Sequence, residues 1–173
     1  MKFLQGLAGY LSCSFPKPKD KLPVGKCSFQ CRESREGYEI QTGLLQVKVI
    51  KKSGEISFWK PDNAGKAKLL LTEKAAEPRL VAGENNYTFW EWSNKEKLMA
   101  KAPSGKLPVF IDRSVRYISF GEDSDEMPGV HSDMGYELWF PSGRKTMCCN
   151  IAMYGKYICQ EGSVTEYYFV LQK

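Results

Sequence analysis

The sequence predicts an all-β fold: an antiparallel barrel or sandwich of about ten or more short strands, with a short N-terminal helix. Three observations carry this. Apolar and polar residues alternate with period two in many short runs. Turn-forming residues punctuate those runs at Ser53-Gly54, 61–65, 83–86, 103–105, 141–143, Gly155 and Gly162. No helical segment of crossover length separates the runs, which argues against a parallel sheet.

The elements follow in chain order. The 173 residues read as one β domain, with residues 1–24 as a helix and a Pro/Lys-rich lead-in. Phe3, Leu4, Leu7, Ala8 and Leu11 fall on one helical stripe, and Pro16 and Pro18 stop it. The same stretch has the outline of a secretory leader, but Gln5 breaks its apolar run. Packing of this helix on the body, or in the end of a barrel, is the preferred reading. Strands are expected at 38–42, 44–51, 55–60, 66–72, 79–82, 87–92, 97–101, 108–112, 115–120, 136–140, 145–154, 157–160 and 164–172. Segment 94–102 has helix-forming composition, yet it is short and lies between strong turn signals.

Alternation also assigns faces. In 145–154 the set Met147, Cys149, Ile151 and Met153 is expected to face the core, against Cys148, Asn150, Ala152 and Tyr154. In 164–172 the core set is Tyr167, Phe169 and Leu171. In 87–92, Thr88, Trp90 and Trp92 oppose Tyr87, Phe89 and Glu91, so both faces are aromatic. A tight turn at Gly155-Lys156 would pair Tyr154 with Tyr157. That register puts Cys148 and Cys159 ~13 Å apart, too far for a disulfide. A β-trefoil is the competing fold, because Trp59, Trp90 and Trp139 each precede a turn. Their spacings of 31 and 49 residues are irregular.

Composition narrows function. The net charge is +5, split between 21 basic and 12 acidic residues in 1–120 and 4 basic and 8 acidic in 121–173. No run of Lys or Arg exceeds two, so the basic arm that grips nucleic acid is lacking. No stretch reaches the length of an apolar membrane-spanning helix. The six cysteines are too sparse for a disulfide scaffold, and free thiols in a reducing cell are favoured over export. The cytoplasm is therefore preferred over secretion.

Chemistry-bearing groups are few. Cys27 and Cys31 have metal-ligand spacing, but the vicinal Cys148-Cys149 points to opposite faces of a strand, so no zinc site is expected. His131 stands alone as an imidazole and reads as a solvated loop residue. The acidic loop 121–129 lacks the spacing of a calcium loop. No catalytic residue, metal or cofactor is assigned.

The sequence therefore points to a non-enzymatic binding module that contacts a protein, glycan or membrane surface through loops and exposed aromatics. The candidate ligand-binding residues are Lys48, Trp59, Lys60, Trp90, Trp92 and Trp139. Lys48 and Lys60 beside Trp59 suit an anionic ligand, against the plainer reading of a core Trp with Lys at its rim. Two alternatives are a β-barrel carrier of a small apolar ligand and a Cys- or carboxylate-dependent enzyme.

Overall fold

Alternation and turn chemistry produce strands wherever the chain is seen. The computed structural model describes residues 28–62, 66–74, 79–101, 109–120, 128–140, 144–162 and 167–172. Among these there is no helix. The expected helix in 1–24, Cys13, Cys27 and the acidic loop residues 121–127 lie outside the described residues.

Three antiparallel five-stranded sheets form. Sheet I takes β1 (Gln30–Glu33), β2 (Gly37–Gln41), β3 (Gln46–Ile50), β4 (Ile56–Pro61) and β5 (Ala67–Thr72) in sequential order. Sheet II uses β6 (Arg79–Ala82), β7 (Asn85–Phe89), β10 (Ser114–Phe120), β13 (Lys145–Ile151) and β14 (Gly155–Glu161), in the order β10-β13-β14-β7-β6. Sheet III takes β8 (Leu98–Lys101), β9 (Val109–Phe110), β11 (Gly129–Ser132), β12 (Tyr136–Trp139) and β15 (Tyr168–Leu171), in the order β15-β12-β11-β8-β9.

The three sheets share one core. Ile40, Val47, Val49 and Phe58 enter it from sheet I, Cys148 and Ile158 from sheet II, and Leu98, Val130, Tyr136 and Leu138 from sheet III. Phe58 stacks on Phe169 with centroids 4.0 Å apart, and Phe169 stacks in turn on Tyr136 at 5.2 Å. Burying each such side chain contributes about 1.5–3 kcal/mol. Sheets I and II join where Glu73 bridges Trp90 and the Glu91 amide donates to the Thr72 carbonyl at 2.9 Å.

Each sheet ends in two edge strands, so the strands make packed open sheets and not a closed barrel. The three Trp segments do not repeat either. Trp59 and Trp139 sit half-exposed within β4 and β12, while Trp90 is buried beyond the end of β7. The trefoil alternative falls with that difference.

Several local expectations change. β1 and β11 were not expected. β1 is exposed at all four positions, so burial imposes no alternation on it. β11 places Val130 and Ser132 on its core face, and a serine breaks the apolar signal. His131 is therefore a strand residue and not a loop residue.

The β13–β14 hairpin has another register. Ile151 pairs with Gly155, Cys149 with Tyr157 and Met147 with Cys159. Gly155 does not sit at the turn centre. Its φ of +91° supplies the left-handed residue that closes the loop 152–154, where the Tyr154 amide donates to the Ile151 carbonyl at 3.1 Å. Cys148 and Cys159 are thus nearly opposite yet point to different faces, and both are free. The face assignment of this strand holds only in part: Cys149 is buried as expected, but so is Cys148 from the opposite set. Thr146 and Cys148 are fully buried in the interior, while Met147 is half-buried and Met153, in the turn, is 82% exposed. Burial pushes the Cys148 thiol well above its usual range.

Candidate functional site

Sheet geometry sorts the sequence candidates. Lys48 and Trp59 do meet: they share the outer face of sheet I, and the Lys48 ammonium lies 5.0 Å from the indole centroid. The Trp59 N–H donates to Ser57 Oγ at 2.9 Å. Lys60 is exposed one residue further on, so it points to the opposite face of β4. Trp90 and Trp92 are only 2% and 5% exposed and belong to the core. Alternation groups them with Thr88 on one face, and that face turns out to be the buried one. Burial removes them from any surface platform.

Trp139 has a different setting. It lies on the outer face of sheet III, half-exposed, in register with Gly129 on one side and Tyr168 on the other. The ring rests on Gly129: a Cβ there would meet Trp139 Cε3 at 2.8 Å and the Leu138 carbonyl at 2.9 Å. The Trp139 N–H donates to Glu137 Oε2 at 2.8 Å. The other carboxylate oxygen, Oε1, accepts from Gln172 Nε2 at 3.0 Å and lies 3.2 Å from His131 Nδ1. Gln172 Nε2 also contacts His131 Nδ1. Cross-strand pairing builds this group, since His131 pairs with Glu137 and Glu137 with Val170. The result is a flat ring flanked by a carboxylate, an imidazole and an amide, each held in place.

Sequence reasoning singled out Trp139 and Tyr168 but missed Glu137, Gln172 and the role of His131. Nothing in the local pattern marks them, because register across three strands brings them together. The one available signal was Glu137 two residues from Trp139, which places both on one face of a strand.

The other buried acids are structural. Glu96 Oε1 accepts from Ser132 Oγ at 2.5 Å and Tyr136 Oη at 2.6 Å, which pins residues 93–97 to sheet III. Burial raises its pKa, against the pull of those two donors. Glu73 is fully buried where sheets I and II meet. Burial raises its pKa to about 7, although Arg79 donates to Oε1 at 2.9 Å and the Ile56 amide to Oε2 at 3.2 Å. Ser132 faces the core while its neighbour His131 faces outward, and the imidazole touches Glu137 and Gln172 instead of a hydroxyl or thiol. Among the described residues, no group of three His, Cys, Asp or Glu side chains could hold a metal ion.

One further concavity of about 510 Å³ opens beside the tip of the β13–β14 hairpin. Lys74, Phe89, Glu91, Met153, Tyr154 and Lys156 line it. The Lys156 ammonium is already engaged there, donating to the Trp92 carbonyl and to Asn94 Oδ1, each at 2.7 Å.

No protein-family model matches the sequence, and a search of the curated proteins finds no match. Solved structures do match in fold. A GH31 dextranase from Flavobacterium johnsoniae, complexed with glucose, superposes with a TM-score of 0.62 at 19% identity, over 84% of this chain and 19% of its own. A GH31 α-xylosidase from a soil metagenome, complexed with xylose, gives 0.62 at 16% identity, over 88% and 26% of the two chains. A xylosidase from Aspergillus niger gives 0.58 at 15% identity, over 80% and 21%. The likeness is therefore to about a fifth or a quarter of much longer glycosidase chains, and at these identities it is a likeness of fold.

Proposed function

We propose that this β fold is a non-enzymatic module that contacts glycans through the outer face of sheet III. The observation that carries the reading is Trp139 seated on Gly129 with its N–H fixed by Glu137. A flat indole accepts the C–H face of a sugar ring, while carboxylate and amide groups beside it pair with hydroxyls. The Glu137–Gln172–His131 group supplies donors and acceptors whose geometry is set before a ligand arrives, so little ordering cost remains. The similar folds in a dextranase and two xylosidases add support for a sugar ligand. Lys48 and Trp59 are not carried forward, because each already engages the other.

The test is calorimetric or NMR titration with glucose, isomaltotriose and xylose, followed by soluble α-glucans. Saturable binding is expected for at least one. Trp139→Ala should weaken it about tenfold or more while the variant keeps a cooperative unfolding transition. Binding that survives Trp139→Ala unchanged, or no binding across the panel, overturns the reading.

A further inference from the structure

The outer side of sheet III is wide across its strands and short along them. Each strand is four residues or fewer, so each offers at most two outward positions. Five strands at ~4.8 Å spacing make the same face ~19 Å wide. The long axis of the face therefore runs across the strands. A row across a twisted sheet stays straight while the strands rotate about it, so an extended ligand can follow it.

Register names that row. Phe110 pairs with Met99, Met99 with His131, His131 with Glu137, and Glu137 with Val170. Cross-strand partners share a face, and the alternate residues Leu98, Val130 and Leu138 are buried on the other. Phe110 is 58% exposed at the far edge of the sheet, on β9. Met99 and His131, both half-buried, form the floor between it and β12. His131 Nδ1 touches Glu137 and Gln172, while no described residue engages Nε2, which is left for a ligand hydroxyl. Trp139 lies in the neighbouring row, beside Tyr168.

Trp139 and Phe110 are three strands and one row apart, which is ~16 Å along the face. One strand step of ~4.8 Å is close to the length that a pyranose unit adds to an extended chain. A chain that touches both rings therefore has about four units, and a mono- or disaccharide reaches one ring only. We infer that the outer face of sheet III takes an extended, neutral glycan chain of about four or more pyranose units, laid across the strands from Trp139 to Phe110. The inference rests on the proposed reading of Trp139 as a sugar platform and adds a second aromatic anchor to it. Phe110 accepts a C–H face of the chain as the indole does. The Glu137 carboxylate lies between the two anchors, so a neutral chain is favoured over an anionic one.

The experiment is calorimetric or NMR titration of the full chain with isomalto- and malto-oligosaccharides of two to seven glucose units. In the series that binds, affinity should rise about fivefold or more between two and four or five units and then level off. Phe110→Ala should remove that gain and leave the disaccharide affinity unchanged, whereas Trp139→Ala should weaken every length. Phe110→Leu keeps apolar volume without the flat ring and should lose most of the gain as well. The length dependence itself is read on the unmutated chain, so it stands if a Phe110 variant fails to fold. A long chain sliding over Trp139 alone would gain affinity steadily with length and keep that gain in Phe110→Ala, which overturns the inference. Equal affinity at every length also overturns it. Both outcomes leave the sugar reading intact as long as Trp139→Ala weakens the shorter members. Binding by no member, or binding indifferent to Trp139→Ala, overturns that reading and this inference together.

Discussion

Sheets II and III are built from the same alternation but turned in opposite senses. In sheet III the apolar set, Leu98, Val130, Leu138 and Phe169, points inward, and His131, Glu137 and Trp139 point outward. In sheet II Tyr87, Phe89, Met147, Tyr157 and Cys159 lie on the outer face, and Asn86, Thr88, Thr146 and Gln160 are buried beside Cys148 and Ile158. The inner face of sheet II tolerates those polar groups because they are paired. Asn86 Nδ2, for one, donates to the Gln160 and Gly162 carbonyls at 3.1 and 2.8 Å. Alternation identifies residues that share a face; it does not say which way that face turns.

The largest expected effect tests whether the interior of sheet III carries the stability. Leu138 is fully buried at the centre of the shared core. Leu138→Ala should cost about 3 kcal/mol in urea unfolding. Leu80→Ala, on the outer face of sheet II at 50% exposure, should cost about 1 kcal/mol or less. Equal costs would mean that the outer face of sheet II is packed as tightly as the interior of sheet III and would erase the contrast.

A second test uses the acid where sheets I and II join. The Glu73 pKa is raised to about 7 from 4.5, chiefly by burial. The native state therefore binds more protons than the unfolded state between those values. Stability from this group is fully present below about pH 4.5 and falls as pH rises through about 7. The loss is on the order of 2 to 3 kcal/mol. Glu73→Gln should remove that slope in urea melts between pH 5 and 8, and should leave the variant the more stable protein at the alkaline end. An unchanged slope would show that the carboxylate stays ionised beside Arg79.

Replacing a polar residue in the inner face of sheet II sharpens the same contrast. Asn86→Leu supplies apolar volume but abandons two carbonyls that Asn86 Nδ2 now satisfies. The expected cost is about 2 kcal/mol. A neutral or stabilising outcome would mean that this face is polar by history and not by need.

The strands themselves were legible. Thirteen were expected, at 38–42, 87–92, 97–101 and elsewhere, and their observed counterparts begin or end within a few residues of those bounds, because turn residues and alternation are local properties. That Thr88, Trp90 and Trp92 share a face was legible for the same reason, but that this face turns inward was not. The inward turn of Thr146 and Cys148 was not, since orientation depends on which neighbours sheet II meets. Nor was the register of that strand: Gly155 served as the left-handed residue after the turn instead of the turn centre. Of the candidate site, Trp139 could be singled out, but its company with His131, Glu137 and Gln172 is set by pairing across β11, β12 and β15.

The smallest effect calibrates the comparison on a solvated face. The outer side of sheet I carries Glu39, Lys48, Ser57 and Trp59, so it needs no cover. There Lys48 lies over Trp59 at 5.0 Å, in contact with water as well as the ring. Lys48→Ala should cost about 0.5 to 1 kcal/mol, the range of an exposed cation–π pair. Part of that comes from apolar contact between the lysine stem and the indole, which salt does not weaken. Lys48→Met keeps the stem and removes the charge, so it should recover part of the loss in urea unfolding. If Lys48→Met is as costly as Lys48→Ala, the charge alone holds the pair. If neither variant changes stability, a polar outer face contributes nothing measurable, and the difference between sheets II and III rests wholly on what is buried.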